Sequence, residues 1–249
     1  MDQNIDSLRK LLRTSERVTI FTGAGISTES GIPDFRSPNG IWSKMKPIQY
    51  QDFISSEEIR KEAWRRKVII DRDMACAEPN VGHRAVSALV KSGKCQTVIT
   101  QNIDGLHQVS GVPAGQIVEL HGNGTYAACL SCKAKYDLKP ILDSFSQNEQ
   151  LTVCSKCGGI IKTATISFGQ SMPVEEMERA KRAALNCDLF LVLGSSLVVY
   201  PAAAFPGLAK DNGAALVIIN REPTEQDPVA DLVLHKEIGE TLSSAVEIC

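Results

Sequence analysis

The sequence lacks any apolar run long enough to cross a membrane, since no stretch approaches the roughly 20 residues that a spanning helix needs. It also lacks a surplus of either charge. Its 27 Lys and Arg are balanced by 29 Asp and Glu, which gives a formal net charge of -2 without an acidic or basic tail. Nothing in this balance directs the chain toward nucleic acid or a membrane surface. We therefore expect neither among its partners.

The first residues, Met1 to Asp6, also lack the basic start and apolar run of a secretory signal. Internal repeats and low-complexity segments are missing too. Without a signal, the eight cysteines of the chain favour a metal site in a reducing compartment over a set of disulfides. We expect a cytoplasmic monomer.

Short apolar runs alternate with helical patterns along the chain. Helices are predicted at 4–14 and 55–73, from a cap at Asn80 to about Ser92, and after Pro173 and Pro201. Buried strands are predicted at 18–21, 97–100, 117–120, 189–193, 215–219 and 231–234. This alternation predicts an α/β fold with a doubly wound parallel sheet of the Rossmann-like kind.

Polar and small residues follow the strands at the point where each strand ends. They are Gly23, Gln101, His121, Gly194 and Asn220. Ligands of an open parallel sheet bind at the carboxyl ends of its strands, so we expect these residues to meet in one site.

Four of the cysteines form two close pairs, Cys129-x2-Cys132 and Cys154-x2-Cys157, with 21 residues between the pairs. Two such turns complete a tetrahedron of thiolates, and four thiolates leave no open position for water, so we predict one structural zinc ion. The metal segment, 122–163, is predicted to be a small zinc-ribbon domain inside a large domain of residues 1–121 and 164–249. Part of the helical segment 37–80 is a second insert.

A glycine-rich loop, Gly23-Ala24-Gly25-Ile26-Ser27-Thr28, follows the first predicted strand. Its small residues would let backbone amides approach a pyrophosphate. The third glycine of the usual dinucleotide fingerprint is missing, because Thr28 stands there. Taken alone, the loop is equally consistent with a tight turn that binds no ligand.

The loop continues through Ser30-Gly31-Ile32-Pro33-Asp34-Phe35-Arg36, and at this point the sequence resembles the sirtuin family. Further matching motifs occur in the family's order and cover roughly residues 18 to 242: Gln101-Asn102-Ile103-Asp104, Leu120-His121-Gly122, the four cysteines, Phe168-Gly169, the run from Gly194 to Pro201, and Ile219-Asn220. Their joint occurrence is specific. The resemblance implies that NAD is the co-substrate and that proteins or peptides carrying acyl-lysine are the partners. The implied products are free lysine, nicotinamide and an acylated ADP-ribose.

The resemblance also implies roles for individual residues on the nicotinamide side. His121 would be the general base, since its ordinary pKa of about 6.5 suits proton removal near neutrality. Asn102 and Gln101 would hold the ribose hydroxyls, and Asn102 would also order a water. The carboxamide pocket would be lined by Ile32, Ile103 and Asp104.

The remaining roles concern the phosphates, the adenosine and the acylated peptide. The pyrophosphate and its ribose would be bound by residues of the first signature: Gly23, Ala24, Gly25, Thr28, Asp34 and Arg36. Phe35, in the same signature, would cover the reacting face of the cofactor and keep water and departed nicotinamide from returning. The adenosine half would be bound by Gly194, Ser195, Asn220, Arg221 and Ile238. The acyl-lysine and its peptide would be bound by Ile166, Phe168, Gly169 and Val199.

The sequence departs from the family pattern in two places. Lys162-Thr163 stands where Arg-Pro is usual, and Gln170 stands where Glu is usual. The helix after the first signature lacks the Tyr-x-x-Arg pattern of sirtuins that prefer acidic acyl groups, so acetyl or another neutral acyl group is expected.

Other interpretations remain open. The chain could transfer single ADP-ribosyl groups to protein, or it could be a non-catalytic module that binds NAD or acylated peptide. A nicotinamide oxidoreductase is disfavoured, because no hydride-transfer partner is recognisable. Asn102 and Asp104 could merely cap the following helix. His83 and His107 are interpreted as structural, and the run Arg65-Arg66-Lys67 as a solvated helix face.

Overall fold

The computed structural model describes residues 3–34, 40, 45–74 and 76–246. Its nine strands, in chain order, are β1 (Val18–Thr22), β2 (Cys95–Thr100), β3 (Ile117–Glu119), β4 (Gly122–Cys129), β5 (Lys135–Asp137), β6 (Ile161–Thr165), β7 (Leu189–Leu193), β8 (Ala215–Ile219) and β9 (Leu232–Leu234). Within the described residues the helices are α1 (Gln3–Thr14), α2 (Tyr50–Ser55), α3 (Glu57–Met74), α4 (Val81–Lys91), α5 (Leu106–Val109), α6 (Leu138–Asn148), α7 (Val174–Asn186), α8 (Ala204–Asp211) and α9 (Ile238–Ala245). A 3-10 helix, Ala24–Ser30, follows β1.

Six strands form a parallel sheet in the order β3-β2-β1-β7-β8-β9. This is the doubly wound Rossmann order, in which the strand sequence reverses between the first and fourth strands of the sheet. The expected fold class is therefore confirmed. The point of reversal lies between β1 and β7, so Gly23 and Gly194 follow the two strands that flank the expected ligand crevice.

Helices cover both faces of this sheet, which explains why its strands are apolar along their whole length. Every residue of β1 and β7 is buried. One face packs on α1, α4 and α9 through a cluster that includes Leu8, Val86 and Leu242. The opposite face packs on α7 and α8 through Ala180, Phe190 and Phe205.

A second, antiparallel sheet of three strands has the order β5-β4-β6; Cys129 ends β4, and the other three paired cysteines lie in the segments that connect these strands. We call the segment from β4 to β6 the small module. Its core contains four side chains of α6, and Trp64 of α3 completes the same cluster. The helical segment and the small module therefore pack directly against each other. The exact domain bounds stay a prediction.

Most predicted elements are present, with shifted ends. Asn80 caps α4 as predicted, accepting a hydrogen bond from the backbone N–H of His83 at 3.2 Å. The predicted helix 55–73 begins only at Glu57, because Ser56 is extended and separates it from α2. None of the described helices has both the length and the apolar character needed to cross a membrane.

The sequence analysis missed three helices, α2, α6 and α9. In α6 the buried residues Leu138, Ile141, Leu142 and Phe145 recur at helical spacing, so the signal was present. The paired cysteines and turn glycines around it drew the interpretation toward short strands.

Candidate active site

A chain of hydrogen bonds joins polar groups from the ends of β1 and β2. The Asn102 side-chain amide donates to the carbonyl oxygen of Gly23 at 3.0 Å and to the Ser27 hydroxyl at 3.2 Å. Ser27 in turn donates to the Asp104 carboxylate at 2.7 Å. Asn102 is 6 % exposed, so these bonds lie in a dry setting where they hold the groups firmly.

Asp104 has two roles at once. One carboxylate oxygen accepts from Ser27, and the other accepts from the backbone N–H of Leu106 at 2.9 Å, at the start of α5. Asp104 therefore accepts a hydrogen bond from the first residue of α5, although the N-cap residue is Gly105, and its carboxylate lies at the edge of the site as well.

His121 lies directly beyond β3, and its ring is oriented by the backbone. Its Nδ1 lies 2.9 Å from the carbonyl oxygen of Gln101. A carbonyl oxygen can only accept, so Nδ1 carries the proton and Nε2 carries the lone pair. The imidazole is therefore held in the tautomer that a general base requires. Gln101 directly precedes Asn102 in the chain. The carbonyl group that orients the His121 imidazole is therefore next to the residue that carries the amide.

The two halves of the sheet are tied together at the reversal point. The Ser195 hydroxyl, after β7, donates to the side-chain oxygen of Gln101, after β2, at 2.7 Å. Gly23 N–H donates to the carbonyl oxygen of Leu193 at 3.0 Å, and Gly25 N–H to that of Gly194 at 2.8 Å. Residues predicted for the ribose and for the adenosine half are thus brought together.

The glycines of the loop are required by close packing, in addition to the ligand contact predicted from the sequence. A Cβ at Gly23 would lie 2.6 Å from the carbonyl oxygen of Gly194, and one at Gly25 would lie 2.7 Å from its Cα. Gly194 itself has a φ of 65°, a left-handed conformation that other residues rarely adopt. The absence of side chains here lets the loop lie against the end of β7.

A cavity of about 640 Å³ opens between the large sheet, the helical segment and the small module. Four predicted site residues line it: Ile32, Ile103, Asp104 and Phe168. Its apolar wall is completed by Phe53, Trp64 and Leu138. The predicted carboxamide pocket and the entrance of the predicted acyl-lysine tunnel therefore share one cavity, which is not filled by packed side chains.

Three residues predicted to bind the adenosine half differ in their burial and in their partners. Asn220 follows β8 and its side chain donates to the carbonyl oxygen of Glu222 at 2.6 Å. Arg221 is exposed and lies 3.6 Å from the Glu237 carboxylate. Ile238 starts α9, but its side chain is 5 % exposed and belongs to the core, so its adenine contact remains only a prediction.

The other predicted residues lie around the same edge of the sheet. Ala24 and Thr28 belong to the 3-10 helix after β1, and Asp34 ends the described part of the first signature. Phe35 and Arg36 lie outside the described residues. On the peptide side, Ile166 and Val199 are half-buried, whereas Phe168 and Gly169 are exposed.

The four paired cysteines converge as expected. All four sulfur atoms lie within 4.8 Å of one another, and the pairs Cys129–Cys157 and Cys132–Cys154 are each 3.5 Å apart. Sulfur atoms in a tetrahedral zinc site are about 3.8 Å apart for Zn–S bonds of about 2.3 Å, so the cluster fits a structural zinc ion. The hydroxyl of Tyr136 lies 3.0 Å from the sulfur of Cys154 and lowers the pKa of that thiol to about 6, which favours the thiolate that a metal binds.

A pair of buried histidines lies behind the site. The ring centroids of His83 and His107 are 5.1 Å apart, and Nε2 of His107 lies 3.0 Å from the Thr22 hydroxyl. Burial lowers the pKa of His83 to about 4 and that of His107 to about 3. Both rings are therefore neutral at pH 7, in agreement with the structural interpretation.

Two residues of the site were missed by the sequence analysis. Ser27 joins Asn102 to Asp104, but a serine in a glycine-rich loop carries no local signal for that role. Lys162 was noted only as a departure from a pattern, yet it is 5 % exposed and lines the cavity. Its burial depends on contacts distant in sequence.

Comparisons with known proteins agree with this geometry. Residues 23–201 match the model of the Sir2 family. The chain is 51% identical to the "NAD-dependent protein deacetylase" of Rhodopseudomonas palustris, over 99% of this chain and 97% of that protein. It is 39% identical to the "NAD-dependent protein deacylase 2" of Archaeoglobus fulgidus, over 99% of this chain and 96% of that protein.

Solved structures show the same likeness. A Sir2 structure with a deacetylated peptide and 3'-O-acetyl ADP ribose superposes with a TM-score of 0.90 at 34% identity, covering 98% of each chain. Another, Sir2Tm bound to a propionylated peptide, superposes with a TM-score of 0.86 at 33% identity, covering 99% of this chain and 98% of that one.

Proposed function

The chain belongs to the Sir2 family, and from this premise we infer that it uses NAD to remove acetyl and other acyl groups from lysine side chains of proteins. The observation that carries the inference is the convergence of three groups that follow the neighbouring strands β2 and β3. The His121 imidazole, the Asn102 amide and the Asp104 carboxylate are linked through Gln101 and Ser27. Of the three, the Asp104 carboxylate lines a cavity large enough for an acyl-lysine side chain and a nicotinamide ring.

When bound, NAD supplies an electrophilic ribose carbon as nicotinamide departs, and its ribose receives the acyl group. Asp104 would orient the nicotinamide by accepting its amide N–H, because its carboxylate is fixed by Ser27 and Leu106. Asn102 and Gln101 would bind the ribose hydroxyls. Such fixed placement lowers the barrier because the reacting atoms are held in line.

His121 would act as general base through Nε2. Its Nδ1–H donates to the Gln101 carbonyl, which leaves Nε2 as the proton acceptor. We propose that it removes a proton from a ribose hydroxyl. Ile166 and Phe168, on the segment after β6, would direct the acyl-lysine amide and limit the entry of water.

The metal site supports this reaction only indirectly. Cys129, Cys132, Cys154 and Cys157 would hold a structural zinc ion, and with four thiolates no position is open for substrate. The thiolate cluster also requires reduced cysteines, which favours the cytoplasm as the setting. A monomer remains our proposal, and light scattering of the purified protein tests it.

The decisive experiment is mass spectrometry of an acetyl-lysine peptide incubated with the protein and NAD. We expect a peptide lighter by one acetyl group, together with nicotinamide and an acetylated ADP-ribose. His121→Ala should reduce turnover by roughly 100-fold or more, since a general base contributes 10²–10⁴-fold, and its thermal midpoint should stay near that of the unchanged protein.

Two outcomes would contradict the proposal. ADP-ribosylated protein without deacetylated peptide would identify a mono-ADP-ribosyltransferase. Binding of NAD or acyl-peptide without any turnover would identify a non-catalytic module. Lys181→Ala is the control, because this exposed residue of α7 is not among the residues of the proposed site.

A further inference from the structure

Lys162 is a buried cation without an anionic partner. It lies in β6, its residue is 5 % exposed, and it lines the cavity. Its Nζ atom donates to the carbonyl oxygen of Thr165 at 2.6 Å and to that of Thr163 at 3.3 Å. The Phe53 ring lies 5.9 Å from Nζ. No ion pair with a carboxylate is present for Lys162 among the described residues, so its partners are backbone carbonyls and an aromatic face.

The shorter of these bonds reaches a peptide group that also contacts the backbone of His121. The carbonyl oxygen of Thr165 and the N–H of Ile166 belong to one peptide unit. That N–H donates to the carbonyl oxygen of His121 at 2.8 Å. A charged donor on the oxygen of a peptide group strengthens the bond made by its N–H. The ammonium of Lys162 is thus two hydrogen bonds from the backbone of the proposed general base.

The surrounding backbone leaves little freedom for this arrangement to shift. Thr165 is paired with Gly122, and a Cβ added at Gly122 would collide with the carbonyl oxygen of Ala164. On the other side, the carbonyl oxygen of Phe168 accepts from Tyr50 N–H at 2.8 Å. The segment from Thr165 to Phe168 is therefore held between His121 and α2, and Lys162 fixes its first peptide group.

We propose that Lys162 is a positioning residue for deacylation: its ammonium holds the peptide group between Thr165 and Ile166, and through it the backbone of His121 and the placement of Ile166 and Phe168. The proposal rests on the proposed function, but the contact itself can be measured without activity. It gives a physical role to the lysine that stands where the family usually has Arg. Arginine would keep the positive charge at this place, whereas a neutral side chain would leave the buried carbonyls without a charged donor.

The protonation of Lys162 supplies a second signature. Burial alone lowers its pKa to about 8. The ammonium is therefore present below about pH 8 and is lost as the pH rises through that value. The ionisable side chains that line the same cavity, none of which alters this pKa, are Lys46, Arg66, Lys67, Lys139, Asp71, Asp104 and Asp137. On the side of α2, Arg60 donates to the carbonyl oxygen of Phe53, and Asp52 is exposed.

The test compares Lys162→Met and Lys162→Arg in the full chain, with an acetyl-lysine peptide that carries no other ionisable side chain. We expect Lys162→Met to lower kcat/KM for the peptide by roughly 10- to 100-fold, the range for loss of a charged hydrogen bond. Lys162→Arg should recover most of the activity. Between pH 7 and 9.5, KM for the peptide should rise in the unchanged protein above about pH 8, and Lys162→Arg should not show this rise, because arginine does not titrate there.

Hydrogen exchange provides the readout that does not need turnover. In Lys162→Met the amide of Ile166 should exchange faster, while amides in β1 and β7 should be unchanged. Lys135→Met is the control, because that lysine lies in β5 of the same module, is exposed and is not among the residues that line the cavity, so it should alter neither readout. Equal kcat/KM and equal exchange in Lys162→Met and the unchanged protein would overturn the proposal. Equal impairment of the Met and Arg variants would also overturn it, since packing alone would then explain both.

These outcomes separate this proposal from the proposed function. If the unchanged protein removes no acyl group, the function is refuted, and the exchange experiment still decides whether Lys162 holds the 165–166 peptide group. If the unchanged protein is active and Lys162→Met matches it in both readouts, the function stands and the role of Lys162 is refuted.

Discussion

The large parallel sheet and the small module are held together by different forces. In the sheet, side chains such as Phe190, Leu191 and Val192 are completely buried, and helices cover both faces. The small module has three short strands, and its apolar cluster depends on α6 and on Trp64 from outside the module. Apolar burial stabilises the first region, whereas we expect the second to depend on a bound zinc ion as well as on its smaller apolar cluster.

The two regions also contribute differently to the proposed site. The groups expected to contact NAD follow strands of the large sheet, where the backbone is fixed by packing. The small module supplies β6, the segment that leads to Ile166 and Phe168, and one wall of the cavity. Binding of the acylated peptide should therefore depend on the metal, although no thiolate contacts the substrate.

Removing the metal should have the largest effect, because it should unfold one region and leave the other intact. We expect a chelator, or Cys154→Ser, to unfold the small module and to abolish nearly all deacylase activity. Structural zinc contributes ~10–16 kcal/mol in small zinc domains, which matches or exceeds the ~5–15 kcal/mol stability of an ordinary domain. Limited proteolysis should then cut within 122–163, while the helices and the large sheet persist by circular dichroism.

The control for the metal experiment is Cys76→Ser, which replaces an exposed cysteine outside the cluster. It should retain zinc, activity and resistance to proteolysis. A zinc-free protein that kept full activity and an uncut small module would show that the module is stabilised by its apolar cluster alone.

Mildly acidic pH should lower the free energy of unfolding, because two histidines are buried beside the large parallel sheet. The pKa values of His83 and His107 in the folded state, about 4 and about 3, are lower than those of an unfolded chain. As the pH falls below about 6.5, the unfolded chain takes up protons that the folded chain does not. The free energy of unfolding should therefore decrease by up to about 1.4 kcal/mol per pH unit for each histidine, until the pH reaches the folded pKa.

Urea unfolding of the zinc-loaded protein between pH 6.5 and 5.5, followed by hydrogen exchange in β1 and β2, measures this slope. His107→Gln should reduce it, whereas His235→Gln should leave it as it is, because His235 lies at the surface beyond β9. The idea fails if His107→Gln and the unchanged protein lose stability with the same slope.

The sequence was most informative where a local pattern determines the structure. The apolar runs that became β1, β7 and β8 are buried from both sides, so their composition alone indicates parallel strands. The spacing of the four cysteines likewise predicts the convergence of their sulfur atoms, which the structure confirms. His121 and Asn102 were predicted because strand ends converge in this class of sheet.

Contacts between distant segments could not be predicted in this way. The bond from Ser27 to Asp104 joins residues 77 positions apart, and the burial of Lys162 depends on α2 packing over β6. The run Arg65-Arg66-Lys67 looked like a solvated face, but Arg65 binds the small module and Arg66 lines the cavity. The local sequence does not distinguish a charged side chain that is exposed to solvent from one that contacts a distant segment of the chain.

The contact of Arg65 with the small module should contribute least to the stability of the protein. Its guanidinium makes a two-pronged pair with Glu149, at the end of α6, with N–O distances of 2.7 and 2.8 Å, and it lies 2.8 Å from Glu58. It therefore links α3 to the small module. The side chain of Glu149 is 53% exposed, so solvent and salt weaken the attraction.

We expect Arg65→Ala to lower the melting temperature only slightly, and to do so less in 1 M salt than in dilute buffer. The double variant with Glu149→Gln should be no worse than the sum of its parts, which a double-mutant cycle measures. Zinc content and peptide KM should stay near those of the unchanged protein. If Arg65→Ala instead released zinc or opened 122–163 to proteases, the link between the regions would be a surface ion pair, and the apolar contact of Trp64 would be insufficient to hold the small module in place.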